Sequence, residues 1–255
     1  MRPDPLPTAH GPFRADQLHP GDPYELSHGH AILCFPTGGR GAGAISAGAS
    51  ALASDPAGQT VGVDAGFSPE PDTLRAPDLA VGRTLDEPGW VPGVPPLAVE
   101  YADTGQDEPK LAAKIRDLLE GGTRFVWVVR LTGPRRVEVH QAGQPVRIVH
   151  PGAQLEAPGI LANPVPVEAL YDPRVSAEVS FRNLLQRHGY ADLEAVRAEG
   201  EAAALRAAIL DVFAARGLTV AEDVQARIAG CEDASLLRRW HRQAITAASP
   251  DEIIP

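Results

Sequence analysis

The chain is almost without lysine. Of its 23 basic residues, all but Lys110 and Lys114 are arginine, so a retained lysine calls for a chemical reason: a compact ammonium does what a guanidinium fork does not. Cysteine is scarce too. Only Cys34 and Cys231 occur, far apart in sequence, and no disulfide framework is implied. No apolar run approaches the roughly 18 residues of a membrane span. The opening MRPDPLPTAHGPF has neither the basic start nor the apolar stretch of a signal peptide, so a cytoplasmic protein without membrane partners is expected. Positive charge is also in deficit. A formal net charge of -10 argues against a non-specific nucleic-acid binder, whose footprint is basic. It is compatible with a nuclease, because acidic metal ligands and a solvated surface carry negative charge away from a local cleft. Repeats at solenoid periods are absent.

What is present is a chain of 255 residues, 44% apolar, enough for one substantial core and a smaller appendage. Three regions are expected: a flexible Pro-rich segment over 1–22 with one helical turn in Arg14–Leu18, a mixed α/β domain over 23–172, and a helical region over 173–255. PYELSHGHAILCF reads as a hairpin around Ser27-His28-Gly29, with Glu25 in its first arm. Small residues from Ala42 to Ser54 suggest a helix that Gly43 and Gly48 weaken but that suits close packing on a sheet. QTVGVDAGFS reads as one strand, and Pro69 to Leu74 as a loop. RAPDLAVG is a short strand entered through Pro77, with Asp78 at its start. PLAVEYAD is apolar and therefore central. A helix follows from Asp107 to Glu120, with Pro109 in its first turn and Gly121-Gly122 ending it. RFVWVVRL reads as a strand buried on both faces, and RVEVHQ and PVRIVH as an antiparallel meander. Beyond Asp172 apolar residues fall at helical spacings. Thr219 and Glu222 make a capping-box pattern, and the last helix presents Leu236, Leu237, Trp240 and Ile245 on one side.

A strand, a helix and a strand with acids on neighbouring strand ends form a plausible frame for a cation site. Hard cations such as Mg²⁺ take one or two carboxylates together with water and substrate phosphate oxygens, and Asp78 and Glu100 each sit on a short predicted strand. At about 100° per residue, Leu111, Ile115, Leu118 and Leu119 form one apolar stripe, with Lys114 roughly 90° from its centre and Lys110 roughly 130° away. A lysine at the stripe's margin can run its stem over the sheet and deliver its ammonium to the strand ends. Lys114 is thus the better candidate.

These residues resemble the Uma family of putative restriction endonucleases, within the PD-(D/E)XK nuclease superfamily. The likeness covers roughly Tyr24 to Asp172: Tyr24-Glu25-Leu26 with Gly29, then Pro77-Asp78 opening a strand, then LAVE ending in Glu100, then the helix with Lys114, Gly122 and Trp127. Much of the superfamily has its lysine two residues after the acid, where this chain has Ala102; the Uma pattern places it on the following helix, matching Lys114. The resemblance implies a restriction-endonuclease-like mixed sheet flanked by helices, with the C-terminal helices as an appendage. It further implies a metal-dependent DNA endonuclease in which Asp78 and Glu100 bind Mg²⁺, or alternatively Mn²⁺, Lys114 assists, and Glu25 is an auxiliary acid. The chain departs from the family where it has Arg40-Gly41-Ala42 instead of a histidine, and Lys110 and Arg130 instead of acids.

Simpler roles exist for the same residues. Asp78 can cap a turn, and Glu100 can pair with Lys114 without catalysis, as in a catalytically inactive nuclease fold acting as an interaction module through its helical tail, with a protein partner or as a homodimer. His28 and His30 lie two apart with Cys34 nearby, but no second ligand pair of suitable spacing follows. Ser27 and His28 have no placed acid for a triad. Arg238, Arg239, His241 and Arg242 around Trp240 could touch nucleic acid, but a solvated helix face is the simpler reading.

Overall fold

The structure is a computed structural model that describes residues 11–82 and 86–254; the first ten residues of the expected N-terminal segment lie outside the described residues. Two compact units are present, the first ending at Leu184 and the second beginning at Leu185.

In the first unit, Ser27 pairs with His30 across a two-residue loop in which His28 (φ 47°) and Gly29 (φ 76°) both adopt left-handed conformations. This is the primed turn whose twist matches that of a hairpin, and it joins β1 (Tyr24–Ser27) to β2 (His30–Leu33). Ahead of it Ala15–Gln17 forms a single 3-10 turn, and Ala15 and Leu18 are buried against Leu26 and Leu74. Helix α1 (Gly39–Ala53) starts three residues before the expected Ala42.

The segment expected to be one strand is two. β3 (Val61–Val63) and β4 (Phe67–Ser68) are separated by Asp64 at φ 52°, a left-handed residue that turns the chain off the main sheet. β3 pairs antiparallel with β5 (Leu79–Val81), whereas β4 pairs in parallel with β6 (Val91–Pro92).

The main sheet continues through β7 (Leu97–Ala102), β8 (Phe125–Arg130), β9 (Arg136–His140) and β10 (Arg147–Val149). Its order is β10-β9-β8-β7-β5-β3. Only β7 and β8 run parallel, which requires a crossover, supplied by α2 (Glu108–Glu120). Asp107 caps this helix by accepting from the backbone N–H of Lys110 at 3.1 Å, and Gly121 ends it.

Alternation along β7 decides what each face carries. Leu97, Val99 and Tyr101 join Trp127, Val129 and Leu52 of α1 in the larger core. Ala98 and Ala102 join Val126, Val128 and the α2 residues Leu111, Ile115 and Leu118 in a second core on the opposite face. Glu100 has the parity of Ala98, so its carboxylate enters the α2 side. Asp78 lies one residue beyond the Leu79–Val99 pair and has the same parity. The unit closes through the short pair β11 (Gln154–Leu155) and β12 (Val165–Pro166) and through α3 (Pro173–Arg187), whose Ser176 hydroxyl donates to the Ala47 carbonyl at 2.6 Å.

The second unit contains α4 (Leu193–Ala215), α5 (Glu222–Gly230) and α6 (Ala234–Ala244). They bury Ile209, Phe213, Val224, Ile228, Leu237 and Trp240 in a core of their own. Two local expectations fail here. α5 starts at Glu222 with Ala221 in the capping position and no side-chain cap, so Thr219 does not form the capping box. Ile245 lies beyond the end of α6 and is 56% exposed, because Leu237, Trp240 and Ala244 already fill the buried face. Among the described residues no helix is long and apolar enough to cross a membrane.

Candidate functional site

The four residues singled out by sequence come from four different segments and meet on the α2 side of the sheet. Lys114 stands in the second turn of α2, and its ammonium lies 3.0 Å from Glu25 Oε1 and 3.0 Å from Glu100 Oε1. It donates a hydrogen bond to the Ala76 carbonyl at 2.7 Å, two residues ahead of Asp78. Asp78 reaches across to β7, where its Oδ2 accepts the backbone N–H of Tyr101 at 2.6 Å. That bond fixes Asp78 beside Glu100. Lys110, the other lysine, is half exposed and pairs at 3.6 Å with Asp107, as expected from its place on the helix.

The electrostatics follow from burial. Loss of water pushes the Glu100 carboxyl from 4.5 up to about 8, with Asp78 and Glu25 adding to the rise and Lys114 opposing it. Asp78 is also raised, first by burial. Burial alone would lower the Lys114 ammonium, but Glu100, Glu25 and Asp78 outweigh it and hold the group charged. Glu100 Oε1 is buried with the Lys114 ammonium 3.0 Å from it, so the lysine is its close polar neighbour.

An open cleft of about 660 Å³ lies over these groups. Glu25, Asp78 and Lys114 form part of its wall, while Glu100 sits behind Lys114. The rim carries Phe35, 77% exposed.

Two residues of this network did not stand out in the sequence. Arg75 is 2% exposed; its Nη1 donates to Glu25 Oε2 at 3.0 Å, and its Nε and Nη2 donate to Asp117 Oδ2 at 2.9 and 2.6 Å. Asp117 also accepts from the Ser27 hydroxyl at 2.7 Å. Arg75 thus ties the first hairpin arm to α2 and holds Glu25 toward Lys114. The available signal for it was its position three residues before Asp78, on the same strand entry. The positions at which the chain departs from the family pattern are internally neutralised. Arg40 pairs with Asp103 and with the Thr104 hydroxyl, and Arg130 pairs with Glu108 at 2.5 Å and Glu138 at 3.0 Å. Cys34 and Cys231 are free thiols.

Among solved structures, the chain is similar to a putative nuclease belonging to DUF820 from Anabaena variabilis ATCC 29413. The TM-score is 0.54 at 18% identity, covering 63% of this chain and 98% of that one. This likeness concerns the fold. None of the curated proteins compared with the chain matches it. The family model Uma2, described as putative restriction endonuclease, matches residues 13–165. That stretch exceeds half of the 255 residues and holds Glu25, Asp78, Glu100 and Lys114, and the chain belongs to the Uma2 family.

Proposed function

We propose that the protein is a divalent-metal-dependent DNA endonuclease that hydrolyses phosphodiester bonds, with Asp78 and Glu100 as metal ligands, Lys114 assisting and Glu25 as an auxiliary acid. The observation that carries this reading is that Glu25 and Glu100 each lie 3.0 Å from the part-buried Lys114 ammonium, with Asp78 close enough to add its charge, beside an open cleft whose wall includes Glu25, Asp78 and Lys114. The residues fit a hard cation: the donors are carboxylate oxygens, Asp78 at the entry to β5 and Glu100 on β7 lie side by side on paired strands, and Mg²⁺ typically takes one or two carboxylates. When bound, such an ion supplies Lewis-acid polarisation of the phosphate and a lowered pKa for its water.

The remaining work falls to the chain. Asp78 is oriented by the Tyr101 N–H, so its other oxygen is presented in a fixed direction. Glu100 carries a proton near neutral pH, and cation binding has to displace it. Lys114 keeps its charge through the neutral range and holds Glu25 and Glu100 together. Its ammonium is held by the Ala76 carbonyl, Glu25 and Glu100 at the cleft wall, where its positive charge can offset charge on a phosphate oxygen. Glu25 is fixed from behind by Arg75.

Cleavage of plasmid and single-stranded DNA in Mg²⁺ or Mn²⁺, run beside Asp78→Ala and Lys114→Ala, tests the proposal. Each variant should lose on the order of a hundredfold or more in rate, the scale of losing one preorganised electrostatic group. If the wild type cuts no better than the variants, the enzyme reading fails and a non-catalytic nuclease-fold interaction module takes its place.

A further inference from the structure

On the far side of Arg75 from Lys114 lies a second group of ligand-type side chains. His28 in the hairpin turn and Asp117 and Glu120 in the last turn of α2 offer ligand atoms that all lie within 4.8 Å of one another. We infer that His28, Asp117 and Glu120 form a binding site for a transition-metal dication of the zinc type, which clamps the β1–β2 hairpin to α2.

An acidic pair beside a surface histidine would carry little by itself. The weight rests on Asp117. Its side chain has no solvent exposure, and its two oxygens are treated in opposite ways. Oδ2 accepts three hydrogen bonds, two from Arg75 and one from Ser27. Oδ1 is buried and accepts none, and it points to His28 Nε2 at 3.6 Å. A buried, charged oxygen without a partner is unfavourable in a finished structure. It is accounted for if the partner is a cation. Arg75 and Ser27 then act as the outer groups that orient a ligand carboxylate.

The spacing and the donor set agree. Bonds of about 2.0–2.2 Å to zinc in tetrahedral geometry place neighbouring ligand atoms about 3.3–3.5 Å apart, close to the separation found between Oδ1 and Nε2. Glu120 is exposed, so its side chain is free to close the remaining distance, and a water completes four ligands. One imidazole with two carboxylates suits zinc-type ions better than Mg²⁺, which prefers oxygen alone. The last turn of α2, with its outward carbonyls, favours positive charge. His28 stands one residue from Ser27, and Asp117 stands one helical turn after Lys114. Occupancy would therefore fix the two elements that bring Glu25 and Lys114 together, yet binding there does not depend on the nuclease reading.

The test is calorimetric titration of the metal-stripped full chain with Zn²⁺ near neutral pH. His28→Asn is the chosen variant because Asn-Gly is the preferred pair for this primed turn, so the hairpin is kept while the imidazole is lost. Glu120→Gln alters only an exposed end. The expected result is saturable Zn²⁺ binding that includes a site whose affinity falls roughly tenfold or more in each variant and is unchanged in Glu100→Gln, with a raised wild-type unfolding midpoint. Absence of saturable binding in the wild type overturns the site, as does equal affinity in His28→Asn. Loss of Zn²⁺ binding in Glu100→Gln with retention in His28→Asn would place the ion at the Asp78–Glu100 group and also overturn it.

Discussion

Glu100 changes its protonation across the neutral range. An unfolded chain releases its proton near 4.5, whereas the folded protein keeps it to about 8, chiefly because the carboxyl is buried. Between these values the native state binds the extra proton, so stability falls as pH rises through the window, by at most about 1.4 kcal/mol per pH unit for one proton. Asp78, also raised, acts with the same sign, and Lys114, held charged, adds no slope. In protein freed of divalent ions, the urea midpoint should therefore drop between pH 5 and pH 8, and Glu100→Gln should flatten the drop. A wild-type stability that climbs over that range would contradict the assignment of the proton to Glu100. At this scale sequence reasoning had clear reach and a clear limit. Lys114 was legible because its angle on the helix puts it at the edge of one apolar stripe. Asp117 was not, since the same wheel sets it roughly 145° from the stripe's centre, on the expected solvent side. It is buried because the hairpin covers α2 from a second direction, through Ser27 and Arg75, and no periodicity within the helix encodes a cover that arrives from ninety residues upstream.

Elements were legible where period and composition agreed. β7, α2 and β8 were read as strand, helix and strand, and each lies within a residue or two of its expected bounds. The expected single strand breaks where Asp64 takes a left-handed conformation, and Gly66 in the gap is a local signal of the break that the apolar alternation on either side outweighs. α1 shows how composition carries packing information. Gly43 and Gly48 look alike in sequence, but an added Cβ at Gly48 would fall 2.0 Å from the Tyr101 hydroxyl and 3.1 Å from Leu79, whereas one at Gly43 meets nothing within 4 Å. The hydroxyl cannot retreat freely, for Tyr101 is buried and donates to the Leu170 carbonyl at 2.9 Å. Gly48→Ala is thus expected to destabilise by about 1–3 kcal/mol through overpacking. Gly43→Ala should stabilise by up to about 1 kcal/mol through helix propensity. Denaturant unfolding separates the two, and Tyr101→Phe in the Gly48→Ala background should recover part of the loss. Equal effects at both glycines would show that the close approach is not what Gly48 is for.

Across the whole molecule the governing quantity is charge. The family match ends at residue 165, and the second unit forms its own core, so the candidate site is complete within the first. A net charge of -10 repels a polyanion at long range, and the cleft wall adds Glu25 and Asp78. The arginines nearest the site are committed: Arg75 to Glu25 and Asp117, Arg40 to Asp103. Counterion release from a basic patch, which drives most DNA binding and contributes a salt slope of about -0.9 per phosphate contact, therefore has little to work with. On the proposed function, divalent cations supply the missing positive charge. Anisotropy of a labelled duplex in chelator should accordingly show weak binding even at low salt, with a slope no steeper than about -3. Replacing the chelator with Ca²⁺, an oxygen-seeking dication, should tighten binding roughly tenfold or more, and Asp78→Asn should abolish that gain. Tight binding in chelator that collapses as salt rises would instead mean that a basic surface carries the DNA, and the acidic cleft would then have to be read as a structural ion cluster and not as the place where phosphate is held.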